Sequence, residues 1–345
     1  MPDQYNILMT GAGAPGAAGI IRCILHPAIF NLTVADANEN AVGRYLHNNF
    51  VPVPAASDEK FIDRVLQICI ERKTQVILPL VTKELLLFAA NKPLFESYGI
   101  KVMVSSKEAI EIANNKSRLY EFLHAKELAL PAFSVVSDKE AFIHAAFELD
   151  HPHNSFCFKP SVSNGSRGVR IVSDSINELD QLFNEKPYNL YITYAHALKI
   201  LSSGHFPELL VSEFLPGDEY SVDCLANNGQ AIIVVPRLRK KMINGISVEG
   251  VFENDKSIID YCTRIIQLVN LHGNIGIQLR RNQNGEALLL EINPRVQGTI
   301  VAGLGAGINL PVLAIKQELG LNIEPGELKV KWGTRFSRFW METFY

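Results

Sequence analysis

The chemically loaded stretch of this 345-residue chain is Glu291-Ile292-Asn293-Pro294-Arg295, which follows Gln278 at a distance suited to two neighbouring strands. One carboxylate and amide oxygens are the hard ligands that Mg²⁺ takes when substrate phosphates and water complete its shell. Arg295 adds a planar donor fork that matches phosphate or carboxylate oxygens. Upstream, Lys159-Pro160 enters the loop Ser161-Val162-Ser163-Asn164-Gly165-Ser166-Arg167-Gly168, whose glycines and hydroxyls allow backbone N–H groups to fold around phosphate oxygens. A polyphosphate with its metal is the ligand class that both segments fit. Turn polarity alone would explain any one of these residues, and a surface hairpin would explain the glycines. Neither explains a lysine entering the loop, or Glu291 and Asn293 closing an apolar strand, where unpaired polar groups are costly.

These residues need strands to hold them. Glu291 and Asn293, two apart on a strand expected over 287–293, share one face. Residues 275–280 form its partner across the turn Asn282-Gln283-Asn284-Gly285, so Gln278 can lie opposite Glu291 or Asn293. Lys159 ends a strand over 155–160, and 169–172 returns beside it, which makes the loop a hairpin tip. Strands over 209–215 and 218–225 follow, with Glu219, Ser221 and Asp223 on one face. Two hairpin-like strands, 231–236 and the stretch after Arg239, extend the sheet, and a helix over 256–271 packs Ile258, Ile259, Cys262, Ile265, Ile266 and Val269 against it.

The first hundred residues alternate differently. Strands over 7–9, 32–36, 76–80 and 101–104 are separated by helices to about residue 25, over 61–72 and over 84–90, a spacing that predicts a mostly parallel sheet covered on both faces. The first domain closes near residue 105, and a helical segment from the cap Ser105-Ser106-Lys107-Glu108 through 123 carries Lys116.

Composition narrows the function classes. Net charge is -3, from 33 basic and 36 acidic residues, so no long-range positive field exists to capture a nucleic acid. The five cysteines, at 23, 69, 157, 224 and 262, have no spacing suited to zinc or a disulfide framework and read as reduced, mostly buried residues. No apolar run approaches membrane-spanning length and no basic n-region opens the chain, so the expectation is a cytoplasmic protein without nucleic-acid or membrane partners. Nine histidines show no ligand spacing. The basic run Arg237, Arg239, Lys240, Lys241 reads either as a solvated edge or as the source of an arginine for an acidic substrate.

In this order, Phe158-Lys159-Pro160 with the loop to Gly168, Glu213 through Asp223, and Gln278 with Glu291 to Arg295 resemble the ATP-grasp superfamily. Within it, they are similar to short proteins that look like one synthetase half of the carbamoyl-phosphate synthase large subunit. The resemblance runs from the first domain to about Leu319. It implies an α/β protein with an ATP-grasp fold, two α+β subdomains enclosing ATP, preceded by a Rossmann-like pre-ATP-grasp domain. The divisions would be 1–105, 106–210 with a mobile lid, and 211–345 as the C-terminal catalytic part.

By that resemblance, Lys116 and Lys159 contact the phosphates of ATP, alongside Ser161, Ser163, Gly165, Ser166 and Gly168. Glu213, Phe214 and Leu215 line the adenine edge, and Glu219 takes the ribose hydroxyls. Gln278, Glu291 and Asn293 hold Mg²⁺, with Mn²⁺ as a substitute. Arg295 stands beside the transferring phosphoryl group, with Lys159 as a second candidate catalytic cation, while Arg237 or Arg239, from the basic run read above, remains the candidate to hold an acid or an anionic intermediate. The implied reaction is attack of a carboxylate on the γ-phosphate, giving an acylphosphate and ADP, followed by an amine or similar nucleophile displacing phosphate. Gln278 stands where many relatives place a carboxylate, although the carbamoyl-phosphate synthase-like branch also has glutamine there. The length leaves no room for paired synthetase halves, and no glutaminase-like Cys-His arrangement is visible.

Two other classes remain open on the sequence. Gly11, Gly13, Gly16 and Asp36 form a loose dinucleotide fingerprint, interrupted by Pro15, that would suit an NAD(P)-dependent oxidoreductase. The aromatic tail from Trp332 to Tyr345 would suit a final strand, a homodimer contact, or the docking edge of a non-catalytic ATP-binding scaffold.

Overall fold

The structure, a computed structural model, describes residues 4–25, 29–163, 165, 167–184, 190–243 and 245–345. Of the residues singled out above, Asn164 and Ser166 lie outside the described residues, as does the start of the chain at 1–3.

The N-terminal stretch runs β1 (Tyr5–Thr10), α1 (Ala17–Leu25), β2 (Phe30–Asp36), α2 (Val42–Leu46), β3 (Phe50–Pro52), α3 (Phe61–Glu71), β4 (Val76–Pro79), α4 (Thr82–Ser97) and β5 (Lys101–Val102). Its sheet has the order β3-β2-β1-β4-β5, and every pairing is parallel. Alternate residues of β1 serve two cores. Ile7 and Met9 join α1, while Leu8 joins Phe61, Val65 and Phe88 from α3 and α4. Burial on both faces is what gives these strands their unbroken apolar runs.

Next come α5 (Lys107–Ala113), α6 (Lys116–His124), β6 (Phe133–Val136), α7 (Lys139–Glu148), β7 (Phe156–Pro160), β8 (Arg170–Val172), α8 (Glu178–Asn184), β9 (Tyr191–Ile192), α9 (Tyr194–Leu201) and β10 (Leu209–Glu213). The helical segment expected through 123 is broken, because the Asn115 side chain accepts from the Arg118 backbone N–H and so caps a separate α6. This sheet is ordered β6-β10-β7-β8-β9, and β7 and β8 pair antiparallel on either side of the glycine loop.

The remainder is β11 (Glu219–Asn227), β12 (Gln230–Ile243), β13 (Ile246–Phe252), α10 (Lys256–Val269), β14 (Gly273–Arg281), β15 (Ala287–Asn293), α11 (Leu310–Glu318) and β16 (Arg335–Ser337), in a sheet ordered β15-β14-β11-β12-β13-β16. The two strands expected around Pro236 are one continuous β12. Pro236 sits opposite Val222, and the ladder continues beyond it through Ser221↔Arg237 and Tyr220↔Leu238. Helix α10 starts on an Asp255 cap, ends at Asn270 in the left-handed region (φ 57°), and buries Ile258, Cys262, Ile265, Ile266 and Val269.

The chain forms two compact units. One comprises Met1–Glu111, Tyr220–Gln278 and Ile292–Tyr345; the other comprises Ile112–Glu219 and Leu279–Glu291. The first unit is discontinuous because one core joins Ile7, Met9, Ile20 and Leu78 to Leu225, Val235, Val296, Ile308 and Leu313. The second has its own core around Phe142, Phe156, Phe158, Leu209 and Val211. Four cysteines are buried and Cys157 is half-buried, and burial pushes the thiols of Cys23 and Cys69 up to about 12. Among the described residues, no helix is long and apolar enough to cross a membrane. The tail forms the edge strand β16, paired antiparallel with β13, and beyond it Phe339, Trp340, Met341 and Phe344 are exposed while Tyr345 stacks on Tyr45 at 3.6 Å.

Candidate active site

Within the second unit, Lys159 closes β7 with its side chain turned into the protein and only 7% exposed. Its Nζ donates to the Leu290 carbonyl at 2.7 Å and lies 5.2 Å from the centroid of the Tyr120 ring. Among the described residues, that carbonyl is its single hydrogen-bond acceptor, so two of the ammonium's three N–H groups are uncommitted. Burial lowers the Lys159 pKa from the ordinary 10.5 to about 8. The Glu291 carboxylate draws it back up, while Lys116 pushes it further down.

Lys116, also buried, begins α6. Its backbone N–H donates to Ser161 O at 2.8 Å, its Nζ donates to Ser163 O at 2.8 Å, and Glu291 Oε2 lies 3.6 Å away. The helix start is thereby fastened to the glycine loop, and the Ser117 and Ser161 hydroxyls, 2.5 Å apart, add a second tie. Gly165 and Gly168 have φ of 65° and 76°, and a Cβ on Gly168 would sit 2.6 Å from Pro160 Cγ, so close approach and left-handed backbone both demand glycine there. Lys116, Lys159, Ser161, Ser163 and Glu291 thus belong to one cluster, with Gly165 and Gly168 shaping its loop.

The residues expected along the adenine edge have other partners as well. Glu213 exchanges two bonds with Ala132: its backbone N–H donates to Ala132 O, and its carboxylate accepts from Ala132 N at 3.0 Å. The Arg280 guanidinium lies 5.2 Å from the Phe214 ring centroid, and Leu215 is buried. Glu219 opens β11 half-buried.

Within the first unit, Arg239 Nη1 faces Gln278 Oε1 at 3.4 Å, and its Nε donates to Ser247 Oγ at 2.9 Å. Arg295 donates from Nε to Thr82 Oγ1 at 3.0 Å and from Nη1 to Val296 O at 2.9 Å, with Nη2 3.5 Å from Asn293 Oδ1. Arg237 is wholly buried and bonded to Asp223 and Thr299. Sequence reading singled out neither Thr82 nor Tyr120 as a site residue. For Thr82, the available signal was its place just past β4, at the carboxyl end of the parallel strands, where the order reverses between β1 and β4.

The three oxygen donors expected to take a metal each lie beside a basic side chain: Glu291 beside Lys116, Gln278 beside Arg239, and Asn293 beside Arg295. Among the described residues, no group of three or more His, Cys, Asp and Glu is placed to hold a metal. One carboxylate with amide oxygens is a donor chemistry that fits Mg²⁺ completed by phosphates and fits zinc poorly.

The N-terminal glycines have a packing explanation. A Cβ on Gly16 would lie 2.3 Å from Gly298 Cα, and one on Gly19 would lie 2.8 Å from Val301 Cγ1. Asp36 spends its carboxylate on the backbone N–H groups of Gly13 and Asn38, at 2.7 and 2.8 Å. Replacing Gly16 by alanine should cost about 1–3 kcal/mol of stability through overpacking. Urea denaturation will measure this against Gly204→Ala, where a Cβ meets nothing.

Two family models match the chain: "ATP-grasp in the biosynthetic pathway with Ter operon" over residues 205–341, and "PylC-like, N-terminal domain" over residues 7–103. Among curated proteins, it is 25% identical over 249 residues to the carbamoyl phosphate synthase large chain of Archaeoglobus fulgidus, covering 68% of this chain and 21% of that one. The large chain of Clostridium acetobutylicum is 23% identical over 278 residues, covering 76% and 24%. The chain spans about a fifth to a quarter of the length of these relatives.

Solved structures share the fold. An N5-carboxyaminoimidazole ribonucleotide synthetase in complex with ADP superposes with a TM-score of 0.70 at 13% identity, covering 96% of this chain and 80% of that one. Biotin carboxylase of Campylobacter jejuni gives 0.68 at 16% identity, covering 94% and 73%. L-amino acid ligase of Bacillus licheniformis gives 0.65 at 16%, covering 96% and 78%.

Proposed function

We propose that this chain, which belongs to the ATP-grasp superfamily and has its α/β fold, is an ATP-dependent ligase. It would activate a small-molecule carboxylate as an acylphosphate and join it to an amine or similar nucleophile, releasing ADP and phosphate. The observation that carries this reading is the buried Lys159 ammonium, with donors to spare among the described residues, in one cluster with Lys116, Glu291 and the glycine loop. A charge buried at this cost without full pairing is accounted for by an anion that completes it.

Each residue then has a role. Lys159 and Lys116 neutralise phosphate oxygens, and the backbone at Ser161, Ser163, Gly165 and Gly168 borders them. Glu213, Phe214 and Leu215 border the base, and Glu219 accepts from the ribose. Magnesium, held by Glu291, Asn293 and Gln278, would draw charge from the phosphate oxygens. Arg295 and Arg239 supply fixed cations where charge spreads during transfer, a contribution that needs positioning rather than a covalent nucleophile. We also propose a kinship with one synthetase half of the carbamoyl phosphate synthase large chain, a finer placement than superfamily membership. The exposed aromatic tail after β16 is the surface we propose for a second copy or a partner. Release of ADP that requires Mg²⁺, together with one acid and one amine from a panel, is the direct test; absence of magnesium-dependent nucleotide binding would end the proposal.

A pH signature follows from Lys159. Its pKa near 8 lies below the unfolded 10.5, so burial of the charge penalises the free fold below about pH 8, and this penalty is relieved as pH rises towards 10.5. Nucleotide affinity runs the other way, since phosphates stabilise the ammonium. Affinity should hold below about pH 8 and then fall by up to about tenfold per pH unit. Calorimetry near pH 9 in buffers of different ionisation heat should show about one proton taken up on binding. Lys159→Arg, which keeps its charge, should bind without that uptake.

A further inference from the structure

The Arg237 guanidinium has no exposed surface, and its counterion Asp223 is 1% exposed. Nε donates to Asp223 Oδ2 at 2.7 Å and Nη2 donates to Thr299 Oγ1 at 2.7 Å, with the rings of Phe336 and Phe252 at 5.5 and 5.9 Å. Nη1 of Arg237 and Oδ1 of Asp223 have no hydrogen-bond partner among the described residues. Burial pushes the Asp223 pKa up, and Arg237 opposes that shift through its charge and its hydrogen bond. A buried ion pair with unfilled bonding capacity is a poor way to stabilise a core, and apolar residues of similar volume commonly do better. Its placement calls for a reason other than stability.

What Arg237 holds, apart from its counterion, is Thr299, four residues beyond Arg295. The segment between them is pinned along its length. Arg295 is tied to Thr82, Gln297 Nε2 donates to Val222 O at 3.3 Å, and Gly298 lies against Gly16. A Cβ on Gly276 would lie 2.1 Å from Gln297 Nε2, so glycine there leaves the space the Gln297 side chain fills. Arg237 anchors the far end. Its side chain crosses from β12 to a loop that no strand pairing holds, and its planar fork fixes direction as well as distance.

We infer that Arg237, oriented by Asp223, is a positioning residue that sets the 295–299 loop through Thr299 and so fixes the direction of the Arg295 guanidinium. It acts on the phosphoryl-transfer step without touching substrate. The inference rests on the phosphoryl-transfer reading given above, and an arginine aimed at a developing charge loses effect when its backbone is free to shift.

The test uses MgADP with and without aluminium fluoride, a mimic of the transferring phosphoryl group, measured by calorimetry on the full chain. Wild-type protein should bind MgADP more tightly when fluoroaluminate is present. Thr299→Val, which removes only the hydroxyl contact, should keep MgADP affinity within about twofold and lose at least about tenfold of the fluoroaluminate enhancement. Thr299→Ser should restore it. If Thr299→Val does not fold, the pair Arg237→Met with Asp223→Asn, which removes both buried charges, should show the same selective loss. Full enhancement in Thr299→Val, a parallel loss of MgADP affinity, or failure of serine to rescue would overturn the positioning role alone. Wild-type protein that binds MgADP without any enhancement would remove the phosphoryl-transfer reading, and this inference with it.

Discussion

Lys159→Met leaves the protein folded and lowers its affinity for MgATP by at least about a hundredfold, roughly 3 kcal/mol. The two effects separate because stability terms offset each other while binding terms do not. Depression of the Lys159 pKa from 10.5 to about 8 corresponds to roughly 3 kcal/mol of penalty for keeping the charge in the free fold at neutral pH. Methionine removes that penalty, but it leaves the Leu290 carbonyl without its donor, at a cost of about 1–3 kcal/mol. The net change in stability is therefore small. Affinity has no compensating gain, since a full charge, and two N–H donors uncommitted among the described residues, disappear from the proposed phosphate site. Thermal denaturation with a nucleotide titration reads both; unchanged MgATP affinity would remove Lys159 from the site.

Glu291→Gln abolishes the magnesium dependence of nucleotide binding and slows ADP release by about 10²–10³-fold, the scale of removing a preorganised electrostatic contact. Affinity for ATP in the presence of a chelator should change little, because Lys159 and Lys116 are untouched. A second readout concerns the lysine. The Glu291 carboxylate raises the Lys159 pKa against burial, so its neutralisation moves the alkaline fall in affinity to lower pH. Magnesium dependence equal to wild type in the variant would show that the metal is held elsewhere.

Much of the framework is legible because period and burial coincide. The N-terminal strands carry unbroken apolar runs covered on both faces, and α10 repeats its apolar residues at helical spacing, so both announce themselves. The short elements β3, α2, α8 and β9 do not, since two to seven residues carry too little pattern to set a period. The division between α5 and α6 depends on which of two adjacent asparagines turns its side chain to cap, which is a local competition rather than a pattern.

Lys159 and Glu291 were marked by residue type and order, whereas Lys116 entered only through the family resemblance, and the separation of roles among the arginines was not legible at all. Arg237 and Arg239 look alike in the chain. On β12, two residues apart, one is buried opposite Ser221 and the other is half-buried opposite Gly250 on β13. What distinguishes them is Asp223 and Thr299 on other segments, and cross-strand register is set by packing that no single stretch encodes.

The contact between Gly16 and Gly298 has a consequence for inheritance. Two backbones that meet without side chains between them tie an opening turn to a loop nearly three hundred residues later, so neither can acquire bulk unless the other retreats. Exchange of the N-terminal segment among relatives would succeed only when the matching loop travels with it. The two segments are thereby constrained to change together.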